Sequence, residues 1–195
     1  MHAKLSVVAL SVAAALAMGA CGKKEEPKPV AAPAAPAAPA APAPKPEVVV
    51  KLGHVAPMTG PQAHLGKDNE NGAVLAVAEL NAQGIEIGGA RIKFELVPED
   101  DQADPKQGSI VAQKLVDAKV NGVIGHLNSG TTIPASKLYS DAGIPQISGS
   151  ATNPKYTQQG FKTAFRVMAN DVQQGKALGQ FAAKQGVKTV AIVDD

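Results

Sequence analysis

Two short runs of hydroxyl, amide and glycine residues carry most of the polar chemistry that could face a small solute. The first is Asn128-Ser129-Gly130-Thr131-Thr132, which follows the apolar residues Val123, Ile124 and Leu127. The second is Ser150-Ala151-Thr152-Asn153-Pro154, which follows Pro145-Gln146-Ile147-Ser148. Each run reads as the loop after a buried strand, and the first leads into a helix. Hydroxyls donate and accept, so both signs of charge can be met there. The free amides of a helix start suit a carboxylate. Carbonyl and threonine oxygens suit an ammonium. The chemistry implied is the holding of a small zwitterion, not its conversion.

A catalytic reading of the same residues is weaker. His126 stands three residues before Ser129, but no Gly-x-Ser-x-Gly elbow occurs and no third member is suggested. His54 reads as a strand histidine and His64 as a loop residue. No histidine pair has convincing metal spacing. Asp100, Asp101 and Asp104 lack the glycine and distal glutamate of a calcium loop. Neither a metal nor a cofactor is expected.

These loops need strands and helices to carry them. Val48 to Val55 is a β-rich run, expected as a first strand within 47–57 and covered on both faces. The 58–66 stretch is a loop at its carboxyl end. Helical spacing follows over 67–82, with Ala73, Val74, Val77, Ala78 and Leu80 on one side. Residues 91–98 alternate as a second strand. Asp104 before Pro105 is an N-cap with proline at the first helical position, opening a helix to about 119 with Ile110, Val111, Leu115 and Val116 inward. A third strand spans 120–127 and its helix 132–142. A fourth strand covers 144–148 and a fifth 164–168. Asn170 or Asp171, the latter most simply an N-cap, opens a helix to about 185. A last apolar run, 187–193, reads as a strand.

Strand and helix alternate, so the fold class is α/β, a parallel flavodoxin-like sheet with helices on both faces. The order 2-1-3-4-5 puts a switch point between the first and third strands, where ligands bind beyond the carboxyl ends. The 57–66 loop should then sit beside the 128–132 loop.

Composition narrows the function further. Net charge is +2, with no basic cluster in the folding part, so a nucleic-acid surface is not expected. Aromatic content is 3% with no tryptophan, which disfavours sugar and base stacking. Residues 1–20 read as an export signal, with a basic start and an apolar run too short to span a membrane. Met18-Gly19-Ala20-Cys21 resembles the lipobox of bacterial lipoproteins, which implies a lipid on Cys21. Residues 21–46 are an Ala/Pro-rich linker, extended at about 3.1 Å per residue and of the order of 70 Å long.

Taken together, the chain resembles the periplasmic branched-chain amino-acid-binding proteins of ABC importers, with the type I binding-protein fold. The resemblance rests on Gly53-His-Val-Ala-Pro-Met-Thr-Gly60, Asp100-Asp-Gln-Ala-Asp-Pro-Lys-Gln107, Gly125-His-Leu-Asn-Ser-Gly-Thr-Thr-Ile-Pro-Ala-Ser136, Ser150-Ala-Thr-Asn-Pro154 and Asp171-Val-Gln-Gln-Gly175. It implies two hinged lobes with the ligand between them. Residues 47–170 would be the first lobe. Residues 171–195 would be a crossover helix and the first strand of a largely missing second lobe, as in a truncated chain. It also implies that Ser129 bonds the ligand carboxylate, that Thr152 contacts both charged groups, and that the Ser150 carbonyl accepts from the ammonium. Gly130, Thr131 and Ala151 belong to the same two loops. Leu65 stands where some members carry an aromatic residue against the ligand side chain. Asn128 and Ala103 stand where some have a disulfide. The implied partners are a small amino acid, the permease subunits of an importer and a membrane, with a periplasmic, lipid-anchored location. The competing classes are a sensing lobe of a receptor with this fold and, less favoured, a hydrolase.

Overall fold

The computed structural model describes residues 44–192. The expected export signal, Cys21 and nearly all of the expected linker lie outside the described residues. Six strands and five helices follow in the order β1 (Glu47–Ala56), α1 (Ala63–Gln83), β2 (Glu86–Ile87), β3 (Ala90–Asp100), α2 (Pro105–Asp117), β4 (Gly122–Gly125), α3 (Ser129–Asp141), β5 (Gln146–Ser148), α4 (Lys155–Gln158), β6 (Ala164–Arg166) and α5 (Asp171–Lys184). They form one sheet in the order β2-β3-β1-β4-β5-β6. The four long-range pairings expected from the alternation are parallel, and β1 and β3 run together from Glu47↔Arg91 to Ala56↔Asp100. The expected 2-1-3-4-5 order is therefore present, with one addition. Strand β2 pairs antiparallel with β3 across Gly88-Gly89, both at positive φ, as a two-residue hairpin requires.

Alternation along β1 divides its side chains between two layers. His54 faces α1 and bonds Asn69 there. Gly53 and Val55 face α2, and a Cβ at Gly53 would meet the Leu115 side chain at 2.7 Å. Helix α1 lies on β1 and β3, while α2 packs on β3 and against α3 on the opposite face. The core lies under α2 and α3: Val55, Val111, Ala112, Leu115, Val120, Val123, Ala135, Tyr139 and Ile144. Leu115 is wholly buried, worth about 2 kcal/mol of transfer free energy.

Several expected details shift. Helix α1 begins at Ala63, so Leu65 is helical and not in a loop. Its buried line is Gly66, Glu70 and Ala73, and Val74 is half exposed. In α2 the buried line is Gly108, Val111, Ala112 and Leu115, at the 3–4 spacing of one face, which turns Ile110 outward. The amino end of β1 is uncovered, since Val48 and Val49 are exposed. Along β5 and β6 the α1 face is likewise uncovered among the described residues, leaving Ile147 and Phe165 exposed. Residues 187–192 are not strand, because no described strand lies beside them to complete a ladder. Asn170, not Asp171, caps α5, in a capping box with Gln173.

Candidate ligand-binding site

The carboxyl ends of the parallel strands form one rim, and side chains tie its loops together. Asp100, at the end of β3, accepts from the Met58 amide at 2.8 Å and the Thr59 hydroxyl at 2.6 Å. It also accepts from the Gln102 amide at 2.9 Å. Burial works to raise its pKa. The bonds from Thr59, Met58 and Gln102 outweigh burial and hold the carboxyl below its ordinary value. Gln102 and Ala103 both sit at positive φ, in a turn closed by Asp104 N donating to Asp101 O at 2.8 Å. Asp104 then caps α2 by accepting from Lys106 N and Gln107 N, as its place before Pro105 predicts. The three aspartates thus do three separate jobs, and among the described residues no acidic or histidine cluster could hold a metal.

The switch-point neighbours meet as expected. Asn128 Nδ2 donates to Gln62 Oε1 at 2.7 Å, joining the start of α3 to the start of α1. Asn128 occupies the N-cap of α3 in extended conformation, yet its side chain makes no capping bond. Its carbonyl takes Thr131 N and Thr132 N. Among the described residues the amides of Ser129 and Gly130 have no acceptor, so two donors at the positive end of a helix remain open.

The two hydroxyl runs are in contact. Ser129 Oγ accepts from the Asn153 amide at 3.2 Å. Ser150 Oγ donates to Leu127 O at 2.8 Å. Ser129, Ser150 and Thr152 are half-buried and Gly130 is exposed, so all four border solvent. With Asn153 N as donor, Ser129 keeps its own proton for an outside acceptor. Thr152 O accepts from Asp171 N at 2.9 Å, which fixes the start of α5 to the same loop.

Other expected site residues lie differently. Thr131 is wholly buried, and its hydroxyl turns inward, 3.1 Å from Asn128 O and within reach of the Asp101 carboxylate. A Cβ on Gly108 would meet Thr131 Cβ at 2.9 Å, so α2 presses against this residue. Ala151 is also wholly buried, with its amide donating to Ser148 Oγ at 2.9 Å. These two residues shape the loops from inside. Leu65 is 47% exposed on the first turn of α1, across the Gln62–Asn128 contact from the other loops.

His126 is not placed for hydrolysis. It is wholly buried, with Nδ1 at 3.0 Å from Asp101 Oδ2 and Nε2 at 3.1 Å from the Tyr139 hydroxyl. Neither ring nitrogen is left for Ser129. Burial lowers the His126 pKa, and Asp101 offsets that only in part. For Asp101, burial works upward but the bonds from His126 and Thr131 prevail, so its pKa is lowered. A neutral ring beside a carboxylate donates from Nδ1 and accepts the Tyr139 proton at Nε2. Burial, with the Asp101 charge adding to it, pushes the Tyr139 hydroxyl well above its ordinary pKa.

The model of one family, described as "Periplasmic binding protein", matches residues 49–195. The chain belongs to this periplasmic binding protein family. The family is one of periplasmic solute-binding proteins, not of enzymes. Among curated relatives, the Leu/Ile/Val-binding protein homolog 1 of Brucella abortus is 46% identical over 135 residues, covering 69% of this chain and 35% of the relative. The leucine-, isoleucine-, valine-, threonine-, and alanine-binding protein of Pseudomonas aeruginosa is 39% identical over 147 residues, 75% of this chain and 39% of the relative. The branched-chain amino acid transporter substrate-binding protein of Streptococcus pneumoniae, solved with isoleucine, superposes with a TM-score of 0.64 at 33% identity, covering 71% of this chain and 39% of that one. The chain therefore spans little more than a third of the length of these relatives. The likeness to branched-chain amino-acid-binding proteins read from the five motifs stands.

The sequence reading missed the Asp100 and Gln62–Asn128 ties and the buried His126 chain. An Asp-Asp pair before a turn was a signal for the first, since Asx side chains bond amides two residues on. Nothing in the local sequence marked Gln62.

Proposed function

We propose that this chain supplies the first lobe of a substrate-binding protein that captures a small amino acid for an ABC importer. The contact between Ser129 Oγ and the Asn153 amide supports this reading, because it joins the start of α3 to the β5–α4 loop. Ser129 Oγ and the Ser129 and Gly130 amides would bind the ligand carboxylate. The Ser150 carbonyl and the Thr152 hydroxyl would meet the ammonium. Leu65 would border the side chain, and leucine, isoleucine or valine is the proposed ligand class, in keeping with what the relatives are named for. Thr131 and Ala151 would support the site from beneath.

Residues 47–170 are proposed as the lobe and 171–195 as the start of the crossing to a second. Capture would then proceed by hinge closure, with a second wall completing the clamp. One lobe alone should bind weakly. Residues 1–20 would direct export, Cys21 would carry lipid, and 21–46 would hold the lobe off the membrane near the permease. Titration of the isotope-labelled chain with leucine, isoleucine, valine and an amino-acid panel tests the ligand class. Amide shifts at Ser129 and Gly130 that saturate with branched-chain amino acids support the reading. Shifts confined to other surfaces, or equal responses to every amino acid, oppose it. Loss of palmitate labelling in Cys21→Ser would support the anchor, and retained labelling would oppose it.

A further inference from the structure

The proposed ligand contacts lie on two loops, and both converge on one residue that cannot touch a ligand. His126 is fully buried at the end of β4. Its carbonyl lies 3.1 Å from Thr132 Oγ1 in the first turn of α3, a hydroxyl whose shorter contact, 2.7 Å, is to Asn128 O. The same carbonyl accepts from Ser148 Oγ at 2.8 Å, at the end of β5. Ser148 Oγ in turn receives the Ala151 amide at 2.9 Å and the Ser150 amide at 3.3 Å. The His126 ring holds Asp101 on one side and Tyr139 of α3 on the other. Asp101 is itself fully buried and accepts from the Ala103 amide at 3.1 Å. The Thr131 hydroxyl sits between the Asp101 carboxylate and the Asn128 carbonyl.

We propose that His126, held by Asp101 and Tyr139, is the positioning residue of the ligand site, fixing the α3 start against the β5–α4 loop. The inference rests on the ligand reading above for what is positioned, and on the hydrogen-bond geometry for how. Its carbonyl leads to Ser148 at the start of the β5–α4 loop, and its ring leads to Tyr139 of α3 and, through Asp101 and Thr131, to the α3 start. A buried polar network of this kind specifies one arrangement when all its members are satisfied. The ionisable groups around the ring are Asp101 after β3, His54 on β1 and Tyr139 on α3. Glu99 and Tyr156 act on Tyr139. Burial holds the His126 pKa below its ordinary value against the upward pull of Asp101, so the neutral ring suits the setting.

The test uses the full 195-residue chain with two readouts. Amide hydrogen exchange is measured without ligand for wild type, His126→Leu, Asp101→Asn and Tyr139→Phe. Exchange at Thr132 and Ala151 should accelerate by about tenfold or more, while Val123, bonded to Pro145 O within the sheet, stays protected. His126→Asn, which keeps a donor toward Asp101, should restore part of the protection. Leucine titration of the same variants should show affinity reduced about tenfold in His126→Leu and Asp101→Asn. If His126→Leu does not fold, Asp101→Asn and Tyr139→Phe decide the question, because they change little volume. Equal acceleration at Val123, Thr132 and Ala151 would mean a general loss of stability and would overturn the proposal. So would unchanged exchange at Thr132 and Ala151. A wild-type chain that ignores leucine would sink the ligand reading alone, since exchange is read in its absence.

Discussion

Ser129→Ala separates the two roles given to one hydroxyl. The oxygen accepts from the Asn153 amide, a neutral bond at the long end of the range and at an exposed partner. Its loss should cost well under 1 kcal/mol. The proton is assigned to the ligand carboxylate, and a hydrogen bond to a charged group is worth about 1.5–3 kcal/mol. Ser129 is half-buried in an open rim, so the lower end applies, and the two amides of α3 still hold the anion. The expected loss is about 1.5 kcal/mol, or roughly tenfold in Kd. Amide-shift titration follows affinities of that weak order. Leucinamide, which lacks the carboxylate, provides the second axis of a cycle, and the variant should lose little for it. Affinity for leucine within about twofold of wild type would refute the assignment. An equal loss for leucinamide would show that only the Asn153 contact had mattered.

Four further outcomes follow from the same geometry. Asp104→Ala removes the acceptor for Lys106 N and Gln107 N and should lower stability by about 1 kcal/mol in urea unfolding, with leucine binding little changed. Gly108→Val drives a Cβ against Thr131, so it should cost about 1–3 kcal/mol and also weaken leucine binding by displacing the start of α3. Thr152→Ala should weaken leucine binding by about 1–2 kcal/mol while the Asp171 amide keeps its bond, because that bond uses the Thr152 carbonyl. Stability should depend on pH through His126. Its folded pKa lies below the ordinary 6.5, so the unfolded chain takes the proton first as pH falls. The contribution is complete above about pH 6.5 and is lost as pH falls toward the folded value, which urea midpoints at several pH values would record. Asp101 adds a second loss below its ordinary 3.8. His126→Leu should flatten the upper window and, by removing the bond that lowers the Asp101 pKa, shrink the lower one as well.

Much of this was legible from local pattern. Strand order followed from strand and helix alternation and from the polar loops at β4 and β5, because parallel crossovers leave few topologies. Asp104-Pro105 announced its own cap. What escaped was set by tertiary packing. Periodicity placed Ile110 and Val74 inward, but α1 buries Gly66, Glu70 and Ala73 and α2 buries Gly108, Val111, Ala112 and Leu115, faces set by close approach of Gly66 to Pro57 and of Gly108 to Thr131. Apolar 187–192 has strand composition and no neighbour to pair with. Thr131 and Ala151 were named with their loops, yet a loop has an inner side, and only coordinates tell which residues occupy it. His126 was weighed only against Ser129, because its partners stand 25 positions before it and 13 after.

The central claim is that the α3 start and the β5–α4 loop hold one charged solute between them. The most direct measurement is a map of amide shifts across the chain on addition of leucine, beside isoamylamine, which lacks the carboxylate. The account predicts that leucine moves Ser129, Gly130 and Thr152 together along one binding curve, and that isoamylamine leaves Ser129 and Gly130 unmoved. Leucine shifts that miss these residues, or identical shifts from both molecules, would contradict it.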